Sequence, residues 1–256
     1  LTSSKRRPRP LRRGIYLLPS LLTTGNLFAG YYSLVASLNG DFGPAAMAIG
    51  IAFLLDGLDG RIARLMNTQS EFGSAYDSIA DVIAFGAAPA VLALNWGMSG
   101  LGRVGWLAGF FFLACAALRL ARFSSYTGPS DRRFFVGLPS PAAAGLVAAM
   151  AFYQPEQVIS PIAGRGVLAV LLIASGLMVS RFRYRSFKDI DLRRRQPHTV
   201  VVLLAMVIAL IALDPENVLL MVTVAYAVSG PIERFAFRTS GRDTDSAGEP
   251  ATDSGD

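Results

Sequence analysis

Four aspartates fall within one short string, LLDGLDGRIARLMNTQSEFGSAYDSIAD, in a chain otherwise rich in apolar blocks: Asp56, Asp59, Asp77 and Asp81. A carboxylate at membrane depth costs roughly 3 kcal/mol, so four of them are retained for a function and need partners. Asp56 and Asp59 are three positions apart, Asp77 and Asp81 four, so each pair occupies one face of a helix, one turn separated. The short connection between the two helices makes them antiparallel neighbours and brings both pairs into one cluster. Four like charges cannot share that volume unaided. Divalent cations relieve the repulsion, and an all-oxygen ligand set favours a hard ion, Mg²⁺ or Mn²⁺. Such a cluster suits two-metal phosphoryl displacement, with one carboxylate left over as a base. Gly57, Gly60, Ala63 and Gly73 leave space on the same helices, and Arg64 is placed near the diphosphate such a site would hold. Glycine in a membrane helix also serves helix packing, so both readings of these small residues stand.

The elements that carry the aspartates follow from composition. Of 256 residues, 52% are hydrophobic and 16% charged, more apolar than one soluble core can hide. The apolar residues fall in blocks at 15–37, 43–62, 76–96, 104–121, 138–153, 165–180, 199–213 and 217–235, most of them long enough for a helix to cross a hydrocarbon core of roughly 30 Å. The expected architecture is all-α: a polytopic transmembrane helix bundle of about eight spans. Asn39-Gly40-Asp41, Ser99-Gly100, Gly128-Pro129-Ser130, Gln154-Pro155-Glu156 and Asp214-Pro215-Glu216 punctuate it. Three segments are expected: a basic arm over 1–14, the transmembrane domain over 15–237, and a disordered polar tail over 238–256.

Net charge is +6, and its placement follows membrane topology rather than a nucleic-acid surface. With the basic arm inside, every one of the 24 Lys and Arg residues except Arg103 and Arg165 falls on the same side. Both termini are therefore expected in the cytoplasm. The arm, with Lys5, Arg6, Arg7, Arg9, Arg12 and Arg13 between Pro8 and Pro10, reads as lying against anionic headgroups. It is not read as a cleavable signal, because the block after it is long, carries Pro19 and lacks a small-residue cleavage site. Arg132 and Arg133 read as markers of the cytoplasmic side rather than as holders of lipid phosphate, the run from Arg181 to Arg195 as a solvated, headgroup-facing connection, and Phe110, Phe111 and Phe112 as lipid-facing or packing residues. The lone Cys115 permits neither an internal disulfide nor a thiolate metal site, and the lone His198 reads as a loop or helix-start residue.

The whole pattern is Asp56-x2-Asp59-Gly60-x2-Ala63-Arg64-x8-Gly73-x3-Asp77-x3-Asp81. It resembles, at every fixed position, the signature of the CDP-alcohol phosphotransferases. That resemblance implies that Asp56, Asp59 and Asp77 hold the metals and that Asp81, in the same metal site, is the general base. It also assigns Asn26, Gly60, Ala63, Arg64 and Gly73 to the CDP pocket, two ions as cofactors, and a homodimer as the working form.

The flanks LLPSLLTTGNLFAG, LRLARFSSYTG and FFVGLPSPAAAG are similar to the members of that family that use L-serine as acceptor. The similarity runs from about residue 14 through 150. One departure is Ser124, where those members commonly carry Asn. The resemblance implies transfer of a phosphatidyl group from CDP-diacylglycerol to L-serine, among membrane lipids and at the cytoplasmic face of a prokaryotic plasma membrane. Arg119 and Arg122 are candidates for the serine carboxylate, since guanidinium groups bind carboxylates bidentately, or else anchor a helix end on the positive-inside side. The alternatives are another acceptor, glycerol phosphate or inositol phosphate, or a cation-coupled transporter. The clustering of the aspartates at the ends of two adjacent spans argues against transport.

Overall fold

The computed structural model describes residues 17–66, 70–124, 134–180, 182–185, 205–206, 209–210 and 212–240. They form helices α1 (Leu17–Asn39), α2 (Phe42–Leu65), α3 (Glu71–Asp81), α4 (Ala88–Gly97), α5 (Arg103–Ser124), α6 (Ser140–Tyr153), α7 (Pro161–Val179) and α8 (Pro215–Ser240). Strands β1 (Phe134–Val136) and β2 (Arg183–Arg185) pair antiparallel, with Phe135 opposite Tyr184. The expected helical class holds; this small ribbon is an addition to it.

Four stretches among the described residues are long and apolar enough to cross a membrane: Phe42–Ala63, Glu71–Gly97, Arg103–Arg122 and Pro161–Val179. Ser140–Tyr153 is apolar but shorter. Helices α1 and α8 fall on two more of the expected blocks, and the block at 199–213 lies mostly outside the described residues, as do the arm over 1–14 and residues 241–256. Helix α8 runs to Ser240, past the boundary expected at 237.

Helix α1 packs along α2 as an antiparallel hairpin and also lies against α3 and α4. The hairpin turns at Gly40, whose φ of 86° is open to glycine but strained for other residues. Helix α2 packs further on α6, α5 on α7, and α6 on α8. These contacts are rich in alanine: Ala45, Ala52, Ala84, Ala88, Ala93 and Ala116 are fully or almost fully buried. Small side chains let backbones approach closely where lipid offers no hydrophobic drive for association. The closest approach near the aspartates is Gly30 on Ala84, where a Cβ at Gly30 would stand 2.7 Å from the Ala84 Cα. Gly30→Leu should therefore cost about 1–3 kcal/mol and lower the thermal midpoint in detergent. Gly50→Ala, where a Cβ meets nothing within 4 Å, should leave the midpoint unchanged or slightly raised.

Between α3 and α4 the chain stays helical but widens into a π-turn over Val82–Ala87, and the Ala88 N–H reaches back to the Ile83 carbonyl. The cause lies in Pro89, which has no N–H to give to the Phe85 carbonyl and whose ring would clash with it. Farther along, the ribbon ties the α6 entry to the α7 exit: Gly137 donates its N–H to the Phe182 carbonyl (2.8 Å) and Leu138 to that of Leu177 (2.9 Å). Gly137 has a φ of 80°, and a Cβ there would strike the Met178 carbonyl.

Candidate active site

The site is built where the C-terminal half of α2 meets α3. Helix α3 starts cleanly because Ser70 caps it, its hydroxyl oxygen accepting the Gly73 N–H at 3.0 Å. The cap fixes the register of the two turns that bear Asp77 and Asp81. From α2, Asp56 and Asp59 point into the same space. Asp56, Asp59 and Asp77 each offer a carboxylate oxygen, and the three oxygens lie within 4.8 Å of one another. Asp81 is not part of that trio; it sits one turn farther along α3 from Asp77. Three of the four carboxylates expected in the metal site are thus gathered, and the fourth lies on the next turn of the same helix as Asp77.

Helix α1 supplies the other wall. The Thr23 hydroxyl donates to Asp59 Oδ2 at 3.0 Å and also lies 3.1 Å from the Pro19 carbonyl. The Asn26 amide donates from Nδ2 to Asp81 Oδ1 at 3.1 Å. Asn26 is fully buried, Thr23 is 6% exposed and Asp59 4% exposed. Nearby, Thr24 and the Tyr76 hydroxyl share a hydrogen bond of 3.1 Å.

Three features suit the trio to a hard divalent cation. Its donors are all carboxylate oxygens, close enough for one ion to be shared. Among the described residues Asp77 Oδ1 is buried without a hydrogen-bond partner, a cost that a cation would remove. Three carboxylates so close would otherwise repel one another.

The remaining expected residues are placed less uniformly. Gly57 and Gly60 lie on the same stretch of α2, and a Cβ at either would meet nothing within 4 Å among the described residues. Ala63 is half-buried on the next turn, and Gly73 sits in the Ser70 cap. Arg64 lies on α2, but its side chain is outside the described residues. Arg119 and Arg122 stand on the last turns of α5, half-buried and exposed respectively. Helix α5 touches α3. Asn26, expected from the resemblance in the CDP pocket, stands on α1 and directs its amide at Asp81. Thr23 was not singled out by sequence. Its signal was the pair Thr23 and Asn26, two polar residues one helical turn apart in an apolar block.

Comparison with known proteins places these residues in a family context. Residues 16–178 match the family model described as CDP-alcohol phosphatidyltransferase. A CDP-diacylglycerol--serine O-phosphatidyltransferase of Helicobacter pylori (strain ATCC 700392 / 26695) is 37% identical over 194 residues, covering 75% of this chain and 82% of that protein. A protein of the same name from Mycobacterium leprae (strain TN) is 32% identical over 227 residues, 86% of this chain and 75% of the relative. Another, from Methanocaldococcus jannaschii, is 32% identical over 221 residues, 86% of this chain and 96% of the relative.

Proposed function

Because this chain belongs to the CDP-alcohol phosphatidyltransferase family, we propose that it transfers the phosphatidyl group of CDP-diacylglycerol to the hydroxyl of L-serine, giving phosphatidylserine and CMP. The observation that carries the reading is the gathering of Asp56, Asp59 and Asp77 within one metal-sized volume, with Asp81 held beside it. The names of the relatives support serine as the acceptor.

Asp56, Asp59 and Asp77 would hold two ions, Mg²⁺ or Mn²⁺. When bound, these would offset the charge of the diphosphate and of the departing CMP. The chain's own residues do the rest. Asp81 takes the proton from the serine hydroxyl, while the Asn26 amide, donating to its Oδ1, holds the carboxylate in place. The serine oxygen then bonds to the phosphorus that carries diacylglycerol, and the bond from that phosphorus to the bridging diphosphate oxygen breaks, its electron pair leaving with CMP. The space open at Gly57 and Gly60 among the described residues leaves room for a headgroup alongside the carboxylates. Gly60, Ala63, Arg64 and Gly73 are assigned to the CDP pocket. Arg119 and Arg122 are assigned to the serine carboxylate, a role supported by the contact of α5 with α3.

The same reading sets the chain in the plasma membrane of a prokaryote as a bundle of about eight spans. The basic arm, the polar tail and the acidic trio would face the cytoplasm, as the placement of Lys and Arg supports. A homodimer is expected on family grounds.

The test is CMP release by purified protein in mixed micelles with CDP-diacylglycerol and Mn²⁺ or Mg²⁺, offered L-serine, glycerol 3-phosphate or inositol phosphate in turn. Release is expected with serine and at least about tenfold slower with either phosphorylated acceptor, whose extra phosphate would leave a buried charge unpaired. Release with another acceptor alone would keep the metal site and overturn the substrate. No release with any of the three would point back to transport.

A further inference from the structure

We infer that Thr23 and Asn26 are positioning residues through which helix α1 braces the acidic site, Thr23 setting Asp59 and Asn26 setting Asp81. The inference rests on the proposed metal site and deepens it. Each residue makes one hydrogen bond to one carboxylate, and the two carboxylates come from different helices: Asp59 from α2 and Asp81 from α3. Thr23 and Asn26 are three positions apart, so a single turn of α1 presents both donors on one face. One turn farther on, Gly30 of α1 meets Ala84 in the π-turn that continues α3, where no side chain fits between the backbones. The donors are therefore fixed relative to α3 and reach across to α2.

The two donors differ in what they can do. Thr23 has one hydroxyl proton and two acceptors, Asp59 Oδ2 at 3.0 Å and the Pro19 carbonyl at 3.1 Å. It can hold Asp59 in place and still yield its proton to Pro19 when the carboxylate is drawn elsewhere. Among the described residues the Asn26 amide donates to Asp81 Oδ1, and its own Oδ1 is buried without a partner. A buried amide left half-satisfied is costly, which fits a group kept for the orientation it imposes rather than for stability. Burial of Asn26 on every side also argues against direct contact with the nucleotide.

The test measures Mn²⁺ uptake by the full chain in micelles, from loss of the free-ion paramagnetic resonance signal, alongside the kinetics of CMP release. Outer partners of metal ligands change affinity about 10- to 100-fold when removed. Thr23→Val is expected to weaken Mn²⁺ binding at least about tenfold, and Thr23→Ser, which keeps the hydroxyl, to restore it. Asn26→Leu is expected to leave Mn²⁺ binding within about twofold and the KM for CDP-diacylglycerol unchanged while kcat falls at least about tenfold. Mn²⁺ binding by Thr23→Val equal to that of the parent would overturn the role of Thr23. A raised KM at unchanged kcat in Asn26→Leu would return Asn26 to the nucleotide pocket. A parent protein that binds no Mn²⁺ would instead overturn the metal reading on which the inference stands.

Discussion

Asp81→Asn is expected to lower serine-dependent CMP release by about 10²- to 10⁴-fold, the range over which a positioned general base contributes. The substitution is nearly isosteric. The new amide oxygen can still accept from Asn26 Nδ2 in place of the carboxylate oxygen that now does so at 3.1 Å, so the local packing has no reason to change. What is lost is the group that takes the serine proton. Because Asp81 stands outside the trio of Asp56, Asp59 and Asp77, Mn²⁺ uptake by the variant should remain close to that of the parent. A loss of less than about tenfold would remove Asp81 from the chemistry. A loss of metal binding along with activity would move it into the metal site.

Chelation is expected to abolish the reaction, and Mg²⁺ or Mn²⁺ to restore it, with Asp59→Asn far less restorable than the parent. Asp59 is the most buried of the trio, 4% exposed, and accepts a hydrogen bond from Thr23. Converting it to an amide removes a negative charge from a volume where three carboxylate oxygens lie within 4.8 Å. Loss of an outer partner alone costs about 10- to 100-fold in metal affinity, so loss of a ligand should exceed about 100-fold. Titrating metal back into chelated parent and variant, and following CMP release and the thermal midpoint together, reads both consequences. A ligand that binds only the folded chain should raise the midpoint of the parent with concentration and leave that of the variant nearly flat. Activity in the parent that survives chelation would sink the metal reading.

Much of this was legible in the residues. Apolar blocks located the helices, since a continuous run of this length has few other uses. The spacings of Asp56 with Asp59 and Asp77 with Asp81, joined by a short connection, foretold that carboxylates of two helices would meet. The bracing by α1 was not legible. Spacing reveals which residues share one face of one helix, but not which neighbour that face meets, so the hydrogen bonds of Thr23 to Asp59 and of Asn26 to Asp81 could not be read from it. The ribbon escaped because Phe134–Val136 and Arg183–Arg185 are each three residues long, too short for any period to show. Pro89, within the block at 76–96, is compatible with several disturbances of a helix and does not by itself specify a widened turn. A kink, a break and a widened turn can each accommodate the carbonyl that proline leaves without a donor.

The widened turn over Val82–Ala87 also bears on how this segment is compared with its relatives. A π-turn holds one residue more than the α-helical turn it replaces, and each residue advances an α-helix by about 100°. The carboxylate-bearing turns before it and the packed turns after it are thus set in angular phase by the length of the chain between Asp81 and Pro89. Chain length at this place acts as a dial rather than a spacer. A one-residue gap within 82–87 in an aligned sequence would amount to a rotation of Asp77 and Asp81 about the helix axis, although every side chain on either side of it were conserved.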